Sequence, residues 1–261
     1  MVKIIRVIFS SLTVHMKLSF ARPTFKFIVL LQPMLYSLLL YLMFRNSETI
    51  NIGEYIIVGT GILNLWSSII FSSSGDIERE RFMGTLESLY VTPSDFRVIF
   101  LGKVLGNVVL GLSSMLISYI CINVIFQVKV SINNVGLFLV SFLLTIISFT
   151  AISLLLALLF TLSRNSRMLM NCMEYPIYIL CGITFPVSLL PEAVQFLSGF
   201  LSPTWAVKTL RGSMVGINDY EQFSIDLLML LLLTIFYLVL VQILFKSIDR
   251  NTRIKGNLGV Y

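Results

Sequence analysis

Five stretches of this chain carry no Asp, Glu, Lys or Arg: Phe27–Phe44, Tyr55–Gly75, Val104–Val128, Val135–Leu162 and Leu227–Phe245. About 20 mostly apolar residues suffice for a helix to cross the hydrocarbon core of a bilayer. Within that core every backbone polar group must be satisfied internally, which favours helices. The runs therefore predict an all-α polytopic membrane protein. Composition agrees: 57% of the 261 residues are hydrophobic and only 12% charged, against about 25% charged in a soluble domain. So few ionic groups cannot cover the surface of a soluble fold. A sixth span is expected in the less regular stretch 170–190, which is apolar but contains Glu174, Pro176 and Pro186. We place transmembrane helices at 25–44, 55–75, 104–128, 135–162, 170–190 and 226–245, in one domain covering 1–261. The prolines within 191–210 suit short re-entrant or outer-surface helices.

Charge orients the bundle. With a cytoplasmic N-terminus, Lys3, Arg6, Lys17, Arg22, Lys26, Arg79, Arg81, Arg97 and Lys103 fall inside, as do Arg164, Arg167 and the basic C-terminal residues. Only Arg45, Lys129, Lys208 and Arg211 remain outside. The positive-inside rule then puts both termini in the cytoplasm of a multi-pass cell-membrane protein. Residues 1–23 read as an amphipathic helix lying in the interface: Lys3, Arg6, Ser10, Thr13 and Lys17 recur every three or four residues, opposite Ile4, Ile5, Ile8, Leu12 and Met16. Arg22-Pro23 turns the chain into the first span.

One connection is dense in charge. Between spans two and three, residues 76–95 include Asp76, Glu78, Arg79, Glu80, Arg81, Glu87 and Asp95. Phe82, Met83, Leu86, Leu89 and Tyr90 are interleaved at helical spacing, and Thr92-Pro93 marks a stop. This reads as a short amphipathic helix on the cytoplasmic surface, whose aromatic and leucine stripe suits docking. A solvated loop kept inside by its charge is the plainer alternative.

The run ERERFMGTLESLYVTP resembles the E-R-E-x-x-x-G-T-L-E-x-L-x-x-T-P stretch of ABC-2 type ABC transporter permeases. YPIYILCGITFPVSLLPEAVQFLSGFLSPTWAVKTLRG resembles a second stretch of that family, with Ser202-Pro203 where many members have Asn-Pro. The nearest type is drug and antibiotic export. The resemblance implies a half-transporter: two permease copies, or one copy and a paralogue, form the pore, and a separate ABC ATPase subunit supplies ATP and Mg. Carried over, Glu78, Arg79, Glu80, Arg81, Phe82, Gly84, Thr85, Leu86, Glu87 and Tyr90 form the coupling helix that meets the ATPase. The chain itself is expected to be neither an enzyme nor a cofactor carrier. A P-loop needs G-x-x-x-x-G-K-[ST], and Gly102-Lys103 lacks both its first Gly and its final Ser/Thr. No metal-ligand cluster or nucleic-acid partner is expected; membrane lipid and a small amphipathic substrate are. His15 is expected at the interface.

Thr60, Asn64, Ser67 and Phe71 share one helical face of span two, and Tyr178, Cys181 and Phe185 one of span five. Polar groups in hydrocarbon turn toward protein or water, so these faces line either a substrate pathway or helix contacts; by resemblance, spans two and five line the cavity. Glu174 precedes Pro176 by two residues, as at a helix start, and reads as an anchor rather than a proton or substrate site. Gly102 and Gly106 form a GxxxG that could bring two helices close. An ATP-driven drug exporter is the leading function. A lipid or glycan exporter, and a non-transporting sensor or immunity protein that binds a peptide antibiotic, remain as alternatives.

Overall fold

The computed structural model describes residues 2–45, 52–84, 96–127, 132–162, 166–217 and 219–255, and among these every regular element is helical. In chain order they are α1 (Val2–Phe20), α2 (Pro23–Lys26), a π turn (Phe27–Leu31), α3 (Gln32–Phe44), α4 (Ile52–Phe82) and α5 (Phe96–Val124). Then follow α6 (Val135–Leu162), α7 (Ser166–Leu180), α8 (Glu192–Gly199), α9 (Ser202–Val215) and α10 (Tyr220–Lys255). Among the described residues four segments are long and apolar enough to cross a membrane: Phe27–Phe44, Val98–Val124, Val135–Phe160 and Tyr220–Lys246. Tyr55–Ile70 is a shorter apolar run. The outward faces suit lipid: Leu116, Leu143, Leu228, Leu232 and Phe236 are all more than half exposed, far more apolar surface than a soluble monomer tolerates.

α4 is the centre of the bundle. Every residue from 56 to 70 is buried, and the helix packs most extensively on α5, then on α6, α3 and α7. A helix surrounded by protein needs no lipid-like face, which is why Thr60, Asn64, Ser67 and Ser68 can interrupt its apolar run. Trp66 meets Phe149 of α6 edge-on, ring centroids 5.8 Å apart, a contact type worth about 0.5–1.5 kcal/mol beyond its area.

Several boundaries differ from the sequence reading. Span two was expected to end at Gly75 and a separate coupling helix to begin at 76; instead α4 runs unbroken to Phe82. A single Gly costs a helix only about 1 kcal/mol against Ala, and the Glu and Arg residues after it are good helix formers. Gly84, with φ +65°, then turns the chain; 85–95 lie outside the described residues. α5 begins at Phe96 rather than 104, and α7 ends at Leu180 rather than 190, the chain turning at Gly182, φ +70°. The expected outer segment 191–210 forms α8 and most of α9, and α9 is a core element. Its Ser202, Ala206, Thr209 and Ser213 are fully buried. Small residues at this spacing let helix backbones approach closely, the main device of packing in lipid. Ser148 of α6 donates to Ser202 at 2.7 Å, and the Tyr237 hydroxyl of α10 donates to the Phe200 carbonyl at 2.9 Å.

The π turn in the first span has a local cause. Pro33 has no N–H, and its ring would strike the carbonyl of Val29 in a regular helix. One widened turn over Phe27–Leu31 relieves this, and the Val29 carbonyl accepts from Ser114 of α5 at 3.4 Å.

α1 lies against α5, and the glycine pair explains how. A Cβ on Gly102 would sit 2.7 Å from the Ile8 carbonyl oxygen, and one on Gly106 2.9 Å from the His15 ring. The GxxxG thus seats α1 on α5. His15 is not at the surface as expected: it is 3% exposed and hydrogen-bonded to Asn107. Without side chains on the two glycines, α1 comes close enough for its histidine to reach the α5 amide.

Candidate functional site

Two regions hold the residues singled out from the sequence. The first is the C-terminal end of α4. Glu80 pairs with Lys103 of α5, so this acid is turned inward onto its own chain. Glu78, Arg79, Arg81 and Phe82 lie on the same helical turns, but their side chains are outside the described set. Gly84 is exposed in the turn that follows, and Thr85, Leu86, Glu87 and Tyr90 fall outside the described residues.

The second region lies where α4 meets α7. Thr60 is fully buried and donates to its own helix at Ile56 O, 2.6 Å. Asn64 Nδ2 donates to Thr60 O at 2.8 Å and to Ser118 Oγ of α5 at 2.9 Å. Ser67 Oγ donates to Glu174 Oε1 at 3.0 Å, and the Tyr178 hydroxyl donates to the same oxygen at 2.9 Å. Cys181 is fully buried, whereas Phe185 is 40% exposed. Phe71 is in α4, with its side chain outside the described set. Within one chain Ser67 and Tyr178 thus converge on Glu174, and Asn64 and Ser67 make helix-to-helix hydrogen bonds while Thr60 bonds within its own helix.

Glu174 corrects the sequence reading. It is in the interior of α7, with Pro176 also inside the helix, so no free helix N-terminus stabilises it. It is 1% exposed, and among the described residues its Oε2 has no hydrogen-bond partner. Around it stand two residues that sequence reasoning missed. Gln32 Nε2 of α3 donates to Ser67 Oγ at 3.1 Å and to the Tyr36 hydroxyl at 2.9 Å. Tyr36 lies edge-on to Tyr178, centroids 6.3 Å apart. The available signal was that Gln32 is the only amide in the charge-free run of span one, with Tyr36 one helical turn on.

At the opposite end of α4, the Arg211 guanidinium donates to Gly182 O at 2.8 Å and Ile183 O at 2.9 Å and stacks on Tyr55 at 3.5 Å. It closes the turn after α7 and lines, with Lys208, a cavity of about 540 Å³.

A membrane bundle with a buried polar seam and a charged extension of its central helix fits a transport subunit, and the family comparison decides which kind. The family model described as ABC-2 type transporter matches residues 7–215. The chain belongs to the ABC-2 type transporter family. The match to this ABC-2 chain runs from α1 to the end of α9, so it takes in α4, the polar seam and the segment after Phe82. It makes the chain a transmembrane component of an ABC transporter, of a kind normally paired with an ABC ATPase subunit. No curated protein matches the chain.

Proposed function

We propose that this chain is the permease subunit of an ATP-driven exporter that carries a drug, antibiotic or other amphipathic compound. Two permease subunits, identical or paralogous, form the pathway, and a separate cytoplasmic ATPase holds ATP and Mg. Both termini are cytoplasmic. The observation that carries the reading is the family match over a region whose central helix, α4, passes from the polar seam into the charged segment beginning at Glu78. That segment, with Thr85, Leu86, Glu87 and Tyr90 beyond it, is the coupling element. The bundle as described is a closed state: Thr60, Asn64 and Ser67 are sealed, and a pathway along them opens only when α4 and α7 part.

The test avoids Glu80, whose loss would also break its pair with Lys103. Arg79→Ala with Arg81→Ala, in the chain co-expressed with its ABC ATPase subunit, should abolish copurification and lower permease-stimulated ATP hydrolysis at least about tenfold, as for loss of two charge contacts across an interface. Unchanged copurification and hydrolysis would remove the coupling assignment.

A further inference from the structure

The polar seam contains a group that helix packing alone does not account for. Hydrogen bonds between helices are served by Ser67, Asn64 and Ser118, all neutral. Glu174 adds a carboxylate, and only half of it is used: both hydroxyl donors converge on Oε1 while Oε2 has no partner among the described residues. Leaving a buried carboxyl oxygen unpaired is costly in a protein interior. Ionisable groups within membrane bundles mark functional sites by default. Among the described residues the carboxylate has no cationic partner; its hydrogen bonds come from the Ser67 and Tyr178 hydroxyls.

What surrounds it narrows the chemistry. Tyr178 bonds to the carboxylate and stands edge-on to Tyr36 at 6.3 Å and to Tyr175 at 6.2 Å. Tyrosine faces carry negative quadrupole potential and attract cations, and aromatic clusters are a recurrent means of holding ammonium groups. A carboxylate with a spare oxygen beside three tyrosines selects for positive charge next to apolar bulk, and it repels anions. The element that carries it is also the one best able to move. α7 packs chiefly on α4, contains Pro176 and ends at the Gly182 turn. Displacing it from α4 would uncover Oε2 and the Tyr178 ring together, beside Tyr175, which is already 60% exposed.

We propose that Glu174, with Tyr36, Tyr175 and Tyr178, is a binding site for cationic amphipathic cargo that forms when α7 moves off α4. The proposal rests on reading this bundle as a transport pathway, and it names the charge class of the cargo.

The test needs neither ATP nor the partner subunit. The full chain in phosphatidylcholine nanodiscs is titrated with tetraphenylphosphonium, and with tetraphenylborate as an anion of the same shape. Saturable binding of the cation alone is expected. Glu174→Gln, which keeps the side-chain volume, should weaken it at least about 30-fold, the lower end for removing one partner of a buried charge pair. Tyr178→Phe, which removes one of the two hydroxyl donors to the carboxylate, should weaken it about tenfold. Equal binding of both ions, no saturable binding of the cation, or cation binding unchanged by Glu174→Gln would each overturn the proposal. If Glu174→Gln does not fold, the wild-type chain decides alone: the cation must raise its unfolding temperature while neutral tetraphenylsilane does not. Loss of ATPase coupling with cation binding intact would instead count against the exporter reading and leave the site standing.

Discussion

Adding one methyl group at Gly102 should unseat the N-terminal helix. A Cβ there would lie 2.7 Å from the Ile8 carbonyl oxygen, 2.8 Å from Ser11 Cβ and 3.2 Å from Ser11 Oγ. Two of these atoms belong to, or are fixed directly on, the α1 backbone, so no side-chain rotation relieves the contact and the whole helix must shift. That shift also strains the Ser11 hydrogen bond to Ile99 O, now 2.7 Å. Overpacking of this kind costs about 1–3 kcal/mol, while Ala in place of Gly inside a helix returns about 1 kcal/mol. Gly136→Ala is the control: it too is helical, in α6, with nothing within 4 Å of a Cβ, so it has the propensity gain without the clash. The two variants should therefore differ by about 1–3 kcal/mol. Gly106→Ala should fall between them, because its contact is the His15 ring at 2.9 Å rather than backbone. Cys121 and Cys181 are buried free thiols, so in a Cys172→Ser background a thiol-reactive dye reports global unfolding on heating. Tryptic cleavage after Lys17 reports release of α1 separately. If Gly102→Ala matches Gly136→Ala in both assays, the close approach of α1 to α5 is wrong.

Three further outcomes follow from the packing. Arg211→Lys loses the paired donation to Gly182 and Ile183 carbonyls and the stack on Tyr55, and should destabilise by about 2 kcal/mol in thermal unfolding. Ser118→Ala removes only the acceptor of Asn64 Nδ2, and should cost about 0.6 kcal/mol in the same measurement. A double-mutant cycle on Glu80→Gln and Lys103→Gln should return a coupling of no more than about 1 kcal/mol, reduced by added salt, since both side chains keep some contact with solvent.

The membrane class was legible in the sequence because absence of charge over a span's length has one physical outcome. The glycine pair was legible as a site of close approach, but its partner was not: Gly102 and Gly106 specify a shallow place on α5, and only the fold brings Ile8 and His15 to it. Glu174 was misread because a proline two residues on signals a helix start in a linear reading, whereas here the bundle carries α7 through Pro176. The hydroxyls on α4 were correctly grouped on one face. Whether that face met water or protein depended on α7, whose position no local pattern encodes. α9 was expected within a re-entrant or outer segment because of its prolines, and its stripe of Ser202, Ala206, Thr209 and Ser213 was a packing signal in plain view.

The length of α4 has a mechanical consequence. Its 31 residues make a rod of roughly 46 Å, longer than the roughly 30 Å hydrocarbon core. Ser67 and Glu80 stand on that same rod, and it contains no proline. A rod without a hinge cannot absorb a push at one end; it tilts or slides as a whole. Force applied near Glu80 therefore reaches the Ser67–Glu174 contact as a displacement, with α4 as the lever and the packed faces of α5 and α6 as its fulcrum. A proline placed between the two, Ser73→Pro, would turn the lever into a joint, and the two ends would then move independently.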